Sequence, residues 1–139
     1  MDLEIYQQQT ERLILLHGRI LAEATERLLN GKALSPMEEQ GVLHSLQVVI
    51  ENSIGKAKHY LKHLGLKVPV SAYDCFYELW LAKIISEQDL KNWKKVIGLR
   101  NAIVHEYMDV DMSIVQDVIK NTYYAFIIGF LSKPINKTR

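Results

Sequence analysis

Apolar residues recur at steps of three and four along most of the chain, with charged and amide side chains between them. Over residues 3–29 this spacing predicts one amphipathic helix, because side chains three and four apart share a helical face. The helix is predicted to stop at Asn30-Gly31, since glycine accepts the left-handed backbone that commonly ends a helix. The apolar residues assigned to its inner face are Leu13, Leu16, Ile20, Ala24 and Leu28.

Three serine-headed motifs predict the starts of three further helices. Ser35-Pro36-Met37-Glu38 combines a capping serine, a proline suited to the first turn and a glutamate that can close a capping box. The same spacing of serine and acid occurs in Ser71-x-x-Asp74 and Ser86-x-x-Asp89. We therefore expect a second helix that ends near Gly65, a short third helix rich in aromatic residues, and a fourth from about Glu87 to Val104.

A last helix is expected from the capping residues Asp109-Val110-Asp111 to Leu131, before Pro134. No stretch alternates apolar and polar residues as a half-buried strand would. The pattern predicts an all-α protein, an up-down bundle of four to five helices joined by short loops. We assign residues 1–133 to a single helical domain and residues 134–139 to a flexible basic tail.

Composition narrows the class of protein. A chain of 139 residues that is 48% hydrophobic can bury one core. Its formal net charge of +1 does not by itself indicate a nucleic acid or a membrane as partner. The longest apolar run, Tyr123 to Leu131, is far shorter than the ~20 residues that span a bilayer. The single cysteine, Cys75, lies among aromatic residues and is expected to be a buried, unreactive thiol. Because the acidic N-terminus does not resemble a signal peptide, we expect a soluble cytoplasmic protein with no membrane contact.

Positive charge is nevertheless concentrated locally. No acidic residue occurs between Glu51 and Asp74, whereas cations accumulate there and again in the fourth helix. These basic residues are Lys56, Lys58, His59, Lys62, His63, Lys67, Lys91, Lys94 and Lys95. They are the best candidate for a surface that follows an RNA backbone, and a solvated helix face is an equally good interpretation. His59 and His63 are four residues apart and could bind a metal, but no third ligand is evident nearby, so no metal site is predicted.

The strongest candidate for chemistry is the end of the fourth helix, which carries Arg100, Asn101, His105 and, two residues later, Tyr107. On an ideal helix Asn101 and His105 share a face, whereas Arg100 and His105 are separated by roughly 140°. Two arrangements would bring the arginine and the histidine together: the helix frays near His105, or a second subunit contributes its own copy of the motif. If the backbone becomes extended after Val104, His105 and Tyr107 point the same way.

An arginine and a histidine suit the cleavage of RNA by its own 2′-hydroxyl. The guanidinium offers a rigid fork of donors to a phosphate, and imidazole exchanges protons near neutral pH, so the reaction requires no metal or other cofactor. The alternative is structural: Arg100 caps the helix end and His105 is a surface residue near a helix C-terminus, where positive charge is favoured. Glu51 and Asp74 are the carboxylates best placed to orient Arg100, although both would suit solvent equally well.

The sequence from Gly98 to Tyr107 resembles the Arg-x-x-x-x-His-x-Tyr signature of HepT, the toxin of a type VII toxin–antitoxin pair within the HEPN group of small helical ribonucleases. The likeness covers nearly the whole chain, including its length and helix order. It also includes the Leu46-Gln47 run followed by Glu51, and an Asp74-x-Phe76-x-x-Leu79 turn before the motif helix.

The resemblance implies a homodimer whose two motifs face one cleft and cut RNA without a metal. It implies that Arg100 and His105 are the catalytic pair and that Asn101 supports them. Family partners are minimal nucleotidyltransferases, which silence the toxin by adding AMP from ATP to the motif tyrosine, here Tyr107.

Two other functions remain compatible with the sequence. The chain could be a non-catalytic helical partner that binds a nucleotidyltransferase or presents its substrate, with the Arg-His motif holding a phosphate only. It could also be a purely structural dimerisation module. The aromatic residues Tyr123, Tyr124, Phe126 and Phe130 fall on more than one helix face and are expected to fill the core and a dimer seam rather than stack on bases.

Overall fold

The computed structural model describes residues 3–105 and 111–135. Every regular element in that part of the chain is an α-helix, which confirms the predicted all-α class. The helices are α1 (Leu3–Leu29), α2 (Pro36–His63), α3 (Ala72–Leu81), α4 (Glu87–His105), α5 (Met112–Lys120) and α6 (Tyr124–Ser132). None of these helices combines the length and the apolar character needed to cross a membrane.

The predicted helix starts are confirmed by their capping hydrogen bonds. The Ser35 hydroxyl accepts from the Glu38 backbone N–H, and the Glu38 carboxylate accepts from the Ser35 N–H at 2.8 Å. The hydroxyls of Ser71 and Ser86 accept in the same way from the N–H groups of Asp74 and Asp89. These local bonds satisfy donors that a helix start leaves free, so they can be recognised without knowledge of the tertiary fold.

The inner face of α1 agrees only in part with the predicted one. Leu16, which the apolar spacing assigned to the core, is 57% exposed. The buried stripe instead contains Leu21 together with the polar residues His17 and Thr25. His17 Nδ1 lies 3.0 Å from the Ser45 hydroxyl, and Thr25 donates to the carbonyl of Leu21, so both polar groups are satisfied inside the bundle. The prediction is therefore wrong for Leu16 and misses three buried residues, whereas Ala24 is buried and Leu13 and Leu28 pack against the core as predicted.

The predicted fifth helix is two helices, so the bundle has six helices in its described part rather than four or five. The chain turns at Asn121–Tyr123, where Thr122 adopts a left-handed φ of 56°. The N–H groups of Thr122 and Tyr123 return to the carbonyls of Ile119 and Val118 at 3.1 and 3.0 Å, which closes α5. The break was missed because the segment contains neither the glycine nor the proline that usually marks such a stop.

Aromatic packing fixes α4 against α3 and α6. Phe76 of α3 stacks on Trp93 of α4 with ring centroids 4.1 Å apart, and Phe130 of α6 meets the edge of both rings. Phe76 and Trp93 are fully buried. Cys75, next to Phe76, is also buried as predicted, and burial raises the pKa of its thiol. The motif helix is thus anchored two turns before Arg100, and its last turns lie against α2.

Candidate functional site

Arg100 and Glu51 form an ion pair between the motif helix α4 and the middle of α2. The Arg100 Nε donates to Glu51 Oε1 at 2.5 Å, and Nη2 makes a longer contact of 3.5 Å with Oε2. The carboxylate therefore occupies the side of the guanidinium that presents Nε and Nη2. The two side chains are 26% and 40% exposed, so the pair sits at the protein surface and remains accessible to a ligand.

Asn101 completes the immediate surroundings of the guanidinium. Its Oδ1 accepts a hydrogen bond from Arg100 Nη1 at 3.0 Å. Arginine has five N–H donors, and Glu51 and Asn101 engage three of them. One N–H remains on each terminal nitrogen, and no described residue accepts from either. An anion with two acceptor oxygens, such as a phosphate, can bind this pair of donors.

Helix α4 continues through His105, one residue beyond the predicted end. The backbone is therefore still helical at His105, and the part of the chain in which an extended backbone would follow lies outside the described residues. On a regular helix, positions 100 and 105 lie roughly 140° apart, so one copy of α4 does not aim both residues at one point. Tyr107 lies outside the described residues, so its predicted alignment with His105 stays untested.

Asp74, the second carboxylate considered as a partner of Arg100, is exposed at the start of α3. It makes no contact with Arg100, so only the Glu51 half of that expectation is confirmed. Both acids were equally plausible in the sequence because each lies on a different helix from the arginine. The packing of α4 against α2 decides between them.

Lys56 does not belong to the predicted basic surface. It is only 1% exposed, and its ammonium donates to the carbonyls of Phe130 and Leu131 at 2.5 and 3.3 Å and to that of Lys133. These acceptors lie at the C-terminus of α6, so the lysine caps that helix from the side. Burial, with a smaller effect of the Lys133 charge, lowers the pKa of Lys56 to about 8.

The other basic residues of α2 occupy the surface to different degrees. Lys58 and His59 are half-buried, whereas Lys62 and His63 are exposed. The His59 ring packs on Tyr6 of α1 with centroids 4.7 Å apart. Among residues 3–105 and 111–135, no group of three or more histidine, cysteine, aspartate or glutamate side chains is arranged to hold a metal ion.

An apolar groove of about 790 Å³ lies on another side of α4, between this helix and the α5–α6 hairpin. Leu99 and Gly98 line it from α4, and Ile114 and Tyr123 line it from the hairpin. Ile114 and Tyr123 are 55% and 59% exposed, whereas the neighbouring Tyr124 is buried. The aromatic cluster of the last helices is thus divided between the core and an accessible surface, and the predicted dimer seam stays untested.

A family model described as "Ribonuclease HepT-like" matches residues 7–131, which is most of the chain. Residues 100, 101 and 105 all fall within this match. The described core and the Arg100–Glu51 pair therefore belong to the region that carries the family pattern.

Two named relatives also match. The chain is 32% identical over 83 residues to the mRNA nuclease HepT of Shewanella oneidensis, a match that spans 60% of this chain and 62% of that protein, less than two thirds of its length. It is 29% identical over 133 residues to a putative RNase of Archaeoglobus fulgidus, spanning 96% of this chain and 92% of that protein. The similarity to the second relative thus extends over nearly the full length of both chains.

Two solved structures share the fold. One is a toxin–antitoxin complex with AMP-PNP, with a TM-score of 0.71 and 25% identity over 94% of this chain and 98% of that one. The other is a tri-AMPylated HEPN toxin of Shewanella oneidensis in complex with its MNT antitoxin, with a TM-score of 0.73 and 25% identity over 94% and 95% of the two chains. The helix order described above is therefore that of HEPN toxins.

Proposed function

This chain belongs to the ribonuclease HepT-like family, and on that premise we propose that it is the toxin of a toxin–antitoxin pair and acts as a metal-independent endoribonuclease. The observation that carries the proposal is the state of Arg100. Glu51 and Asn101 hold its guanidinium at the surface while one N–H on each terminal nitrogen stays unengaged by described residues. That geometry suits a phosphodiester, because two phosphoryl oxygens can accept from the two remaining N–H groups of an arginine whose direction is fixed.

The proposed reaction is attack of an RNA 2′-hydroxyl on the adjacent phosphorus. His105 takes the hydroxyl proton or delivers a proton to the departing 5′-oxygen, and Arg100 stabilises the charge that builds on the phosphoryl oxygens. The bond from phosphorus to the 2′-oxygen forms as the bond to the 5′-oxygen breaks. The products are a 2′,3′-cyclic phosphate end and a 5′-hydroxyl end.

We propose that the functional unit is a homodimer in which two copies of the motif line one cleft. The support is the regularity of α4, which continues through His105 and leaves positions 100 and 105 on different sides of the helix. Of the two arrangements that could unite the pair, a second copy of the motif is then the one that needs no distortion of α4.

We further propose that Tyr107 is the regulatory residue and that a minimal nucleotidyltransferase antitoxin silences the toxin by AMPylation. The tyrosine hydroxyl would attack the α-phosphate of ATP, with pyrophosphate as the leaving group. The related structure that is tri-AMPylated and bound to an MNT antitoxin supports this mode of control. A phosphate attached two residues after His105 could pair with the unengaged donors of Arg100 and occupy the position that RNA requires.

The free, buried Cys75 is consistent with a reducing compartment, and we place the protein in the cytoplasm.

The test is RNA cleavage by the purified protein in EDTA, with an intact-mass measurement on the same sample. We expect 2′,3′-cyclic phosphate ends from the parent and no cleavage from His105→Ala or Arg100→Lys variants that retain the parent's helical content. Absence of cleavage at a mass raised by AMP identifies a silenced toxin, which should regain activity once the AMP is removed. Absence of cleavage at the unmodified mass contradicts the nuclease and favours a non-catalytic partner of a nucleotidyltransferase.

A further inference from the structure

The contact between Glu51 and Arg100 identifies which side of α2 faces the candidate site. Positions four, seven and eleven residues after Glu51 fall within about 40° of it on a regular helix. These positions are Gly55, Lys58 and Lys62, and we call them the α2 stripe. The stripe starts beside the Arg100 guanidinium and runs toward the C-terminal end of α2.

We propose that the α2 stripe is a binding subsite for the RNA strand on one side of the cleaved phosphate, with Lys58 and Lys62 contacting its backbone. The inference rests on the proposed RNA substrate. It extends that proposal by assigning a path to the RNA strand and a binding role to two residues that lie outside the Arg-His motif.

The surface of the stripe is open and positively charged. A Cβ atom added at Gly55 would meet no other group within 4 Å, so the step between Glu51 and Lys58 is unobstructed. Lys62 is exposed, Lys58 is half-buried, and neither takes part in the ion pairs formed by the described residues. Both ammonium groups are thus free to pair with phosphate, and binding there would release counterions from the RNA.

The boundaries of the stripe are also defined. On one side, the His59 ring packs against Tyr6, so α1 borders it. The start of α3 lies near Lys58, because the charge of Lys58 acts to lower the pKa of the Cys75 thiol while that of Asp74 acts to raise it. Asp74 is the first acid after Glu51 in the sequence. The segment from Glu51 to Lys62 covers about 16 Å of helix axis, which is enough for a few nucleotides.

The composition of the stripe favours RNA over a protein partner. It presents two lysines and a glycine and no large apolar side chain. The centres of protein interfaces are depleted in lysine and enriched in aromatic residues, methionine and arginine. A backbone-tracking surface has the opposite requirement, because cations on flexible stems can follow phosphates in any sequence.

Lys56 does not belong to the stripe, and its burial supports the assignment of RNA binding to Lys58 and Lys62. It lies between Gly55 and Lys58 in sequence, yet its ammonium is committed to the end of α6. The positive charge that remains on α2 near Arg100 therefore belongs to the stripe. Substitution of these two lysines should affect RNA binding without disturbing a structural contact.

The test measures binding of a 2′-O-methylated RNA oligonucleotide, which cannot be cleaved by a 2′-hydroxyl, across a range of salt concentrations. The variant is Lys58→Gln/Lys62→Gln. The matched control is Lys32→Gln/Lys120→Gln, which removes the same charge at exposed positions, with Lys32 just before the opposite end of α2. Circular dichroism and thermal unfolding check that both double variants have the helical content and the stability of the parent.

We expect the stripe variant to bind about tenfold more weakly at low salt, and its logarithmic salt dependence to become shallower by about 1.4, as expected for two lost contacts with single-stranded phosphate. The control should stay within about twofold of the parent, because screening limits charges more than about 10 Å away. Equal effects in the two variants, or none in either, overturn the proposal, as does a parent that does not bind the oligonucleotide.

Cleavage assays separate this proposal from the proposed function. A parent that binds RNA through Lys58 and Lys62 but does not cut it would contradict the nuclease and retain the subsite. If the parent cuts RNA and the stripe variant has the same KM as the parent, the nuclease is retained and the subsite is contradicted. If both hold, the variant should show a raised KM with little change in kcat, because the stripe contacts the strand away from the reacting phosphate.

Discussion

Arg100 Nε of α4 and Glu51 Oε1 of α2 meet at 2.5 Å, although the two residues are 49 positions apart in the chain. The carboxylate orients one side of the guanidinium, and Asn101, on the same helix as the arginine, accepts from Nη1. The pair therefore converts a flexible surface arginine into one with a defined direction. This orientation is the feature on which the proposed chemistry depends.

Removal of Glu51 should impair cleavage far more than stability. A partly exposed ion pair contributes at most about 1 kcal/mol, whereas misplacement of a charge-stabilising group by about 1 Å can cost roughly 100-fold in rate. We expect Glu51→Ala to lower kcat/KM by about 10- to 100-fold, and Glu51→Gln, whose amide oxygen can still accept from Nε, to lose less.

Steady-state kinetics and thermal unfolding of the same preparations check this expectation. Glu39→Ala, which removes another partly exposed glutamate of α2, is the control and should behave like the parent. Equal, large losses in the Ala and Gln variants, with the acidic limb of the pH profile abolished, would instead identify Glu51 as a proton-transfer group.

Lys56 should be a stability residue and not an activity residue. Lys56→Met keeps the apolar stem but leaves the carbonyls of Phe130, Leu131 and Lys133 without their charged donor. We expect the free energy of unfolding at pH 7 to fall by about 2 kcal/mol. Urea unfolding measures the change, and Lys62→Met, at an exposed position of the same helix, should alter it by less than about 0.5 kcal/mol.

The same lysine should make stability depend on pH. Burial lowers its pKa from the ordinary 10.5 to about 8, so between these values the unfolded chain holds more protons than the folded one. Stability due to this group should therefore rise as the pH increases from about 8 to 10.5. Urea unfolding of the parent and of Lys56→Met over this range isolates the effect, since other groups titrate in both proteins. A constant difference between them would contradict the lowered pKa.

Thr122 should be replaceable by asparagine with a gain in stability. Its left-handed φ of 56° is unfavourable for a β-branched side chain, whereas asparagine tolerates that backbone. We expect Thr122→Asn to raise the free energy of unfolding by about 0.5–1 kcal/mol, and Thr122→Ala not to do so. If α5 and α6 formed one continuous helix, Thr122→Asn would be nearly neutral and Thr122→Ala would be the stabilising change, so the comparison of the two variants tests the helix break.

Local signals were sufficient for much of the fold. The capping serines at positions 35, 71 and 86 mark helix starts because the bonds they form reach only three residues along the chain. Gly31 and Gly65 both have a positive φ. They follow the C-terminal ends of α1 and α2, respectively, and mark these ends for the same reason. The break at Thr122 was missed because the residue adopts its strained backbone without a glycine or proline signal, as α6 turns back to bury Tyr124 against Thr25.

The sequence by itself determined the helical class, most helix boundaries and the clustering of Arg100, Asn101 and His105 near the end of one helix, because all of these depend on short-range spacing. Only the tertiary structure decided that Glu51, and not Asp74, pairs with Arg100, and that Lys56 is buried while Lys58 and Lys62 remain at the surface. Neighbouring residues on one helix point in different directions. The packing of the other helices decides which of these side chains are buried and which residues they contact. A charge pattern along the chain cannot carry that information.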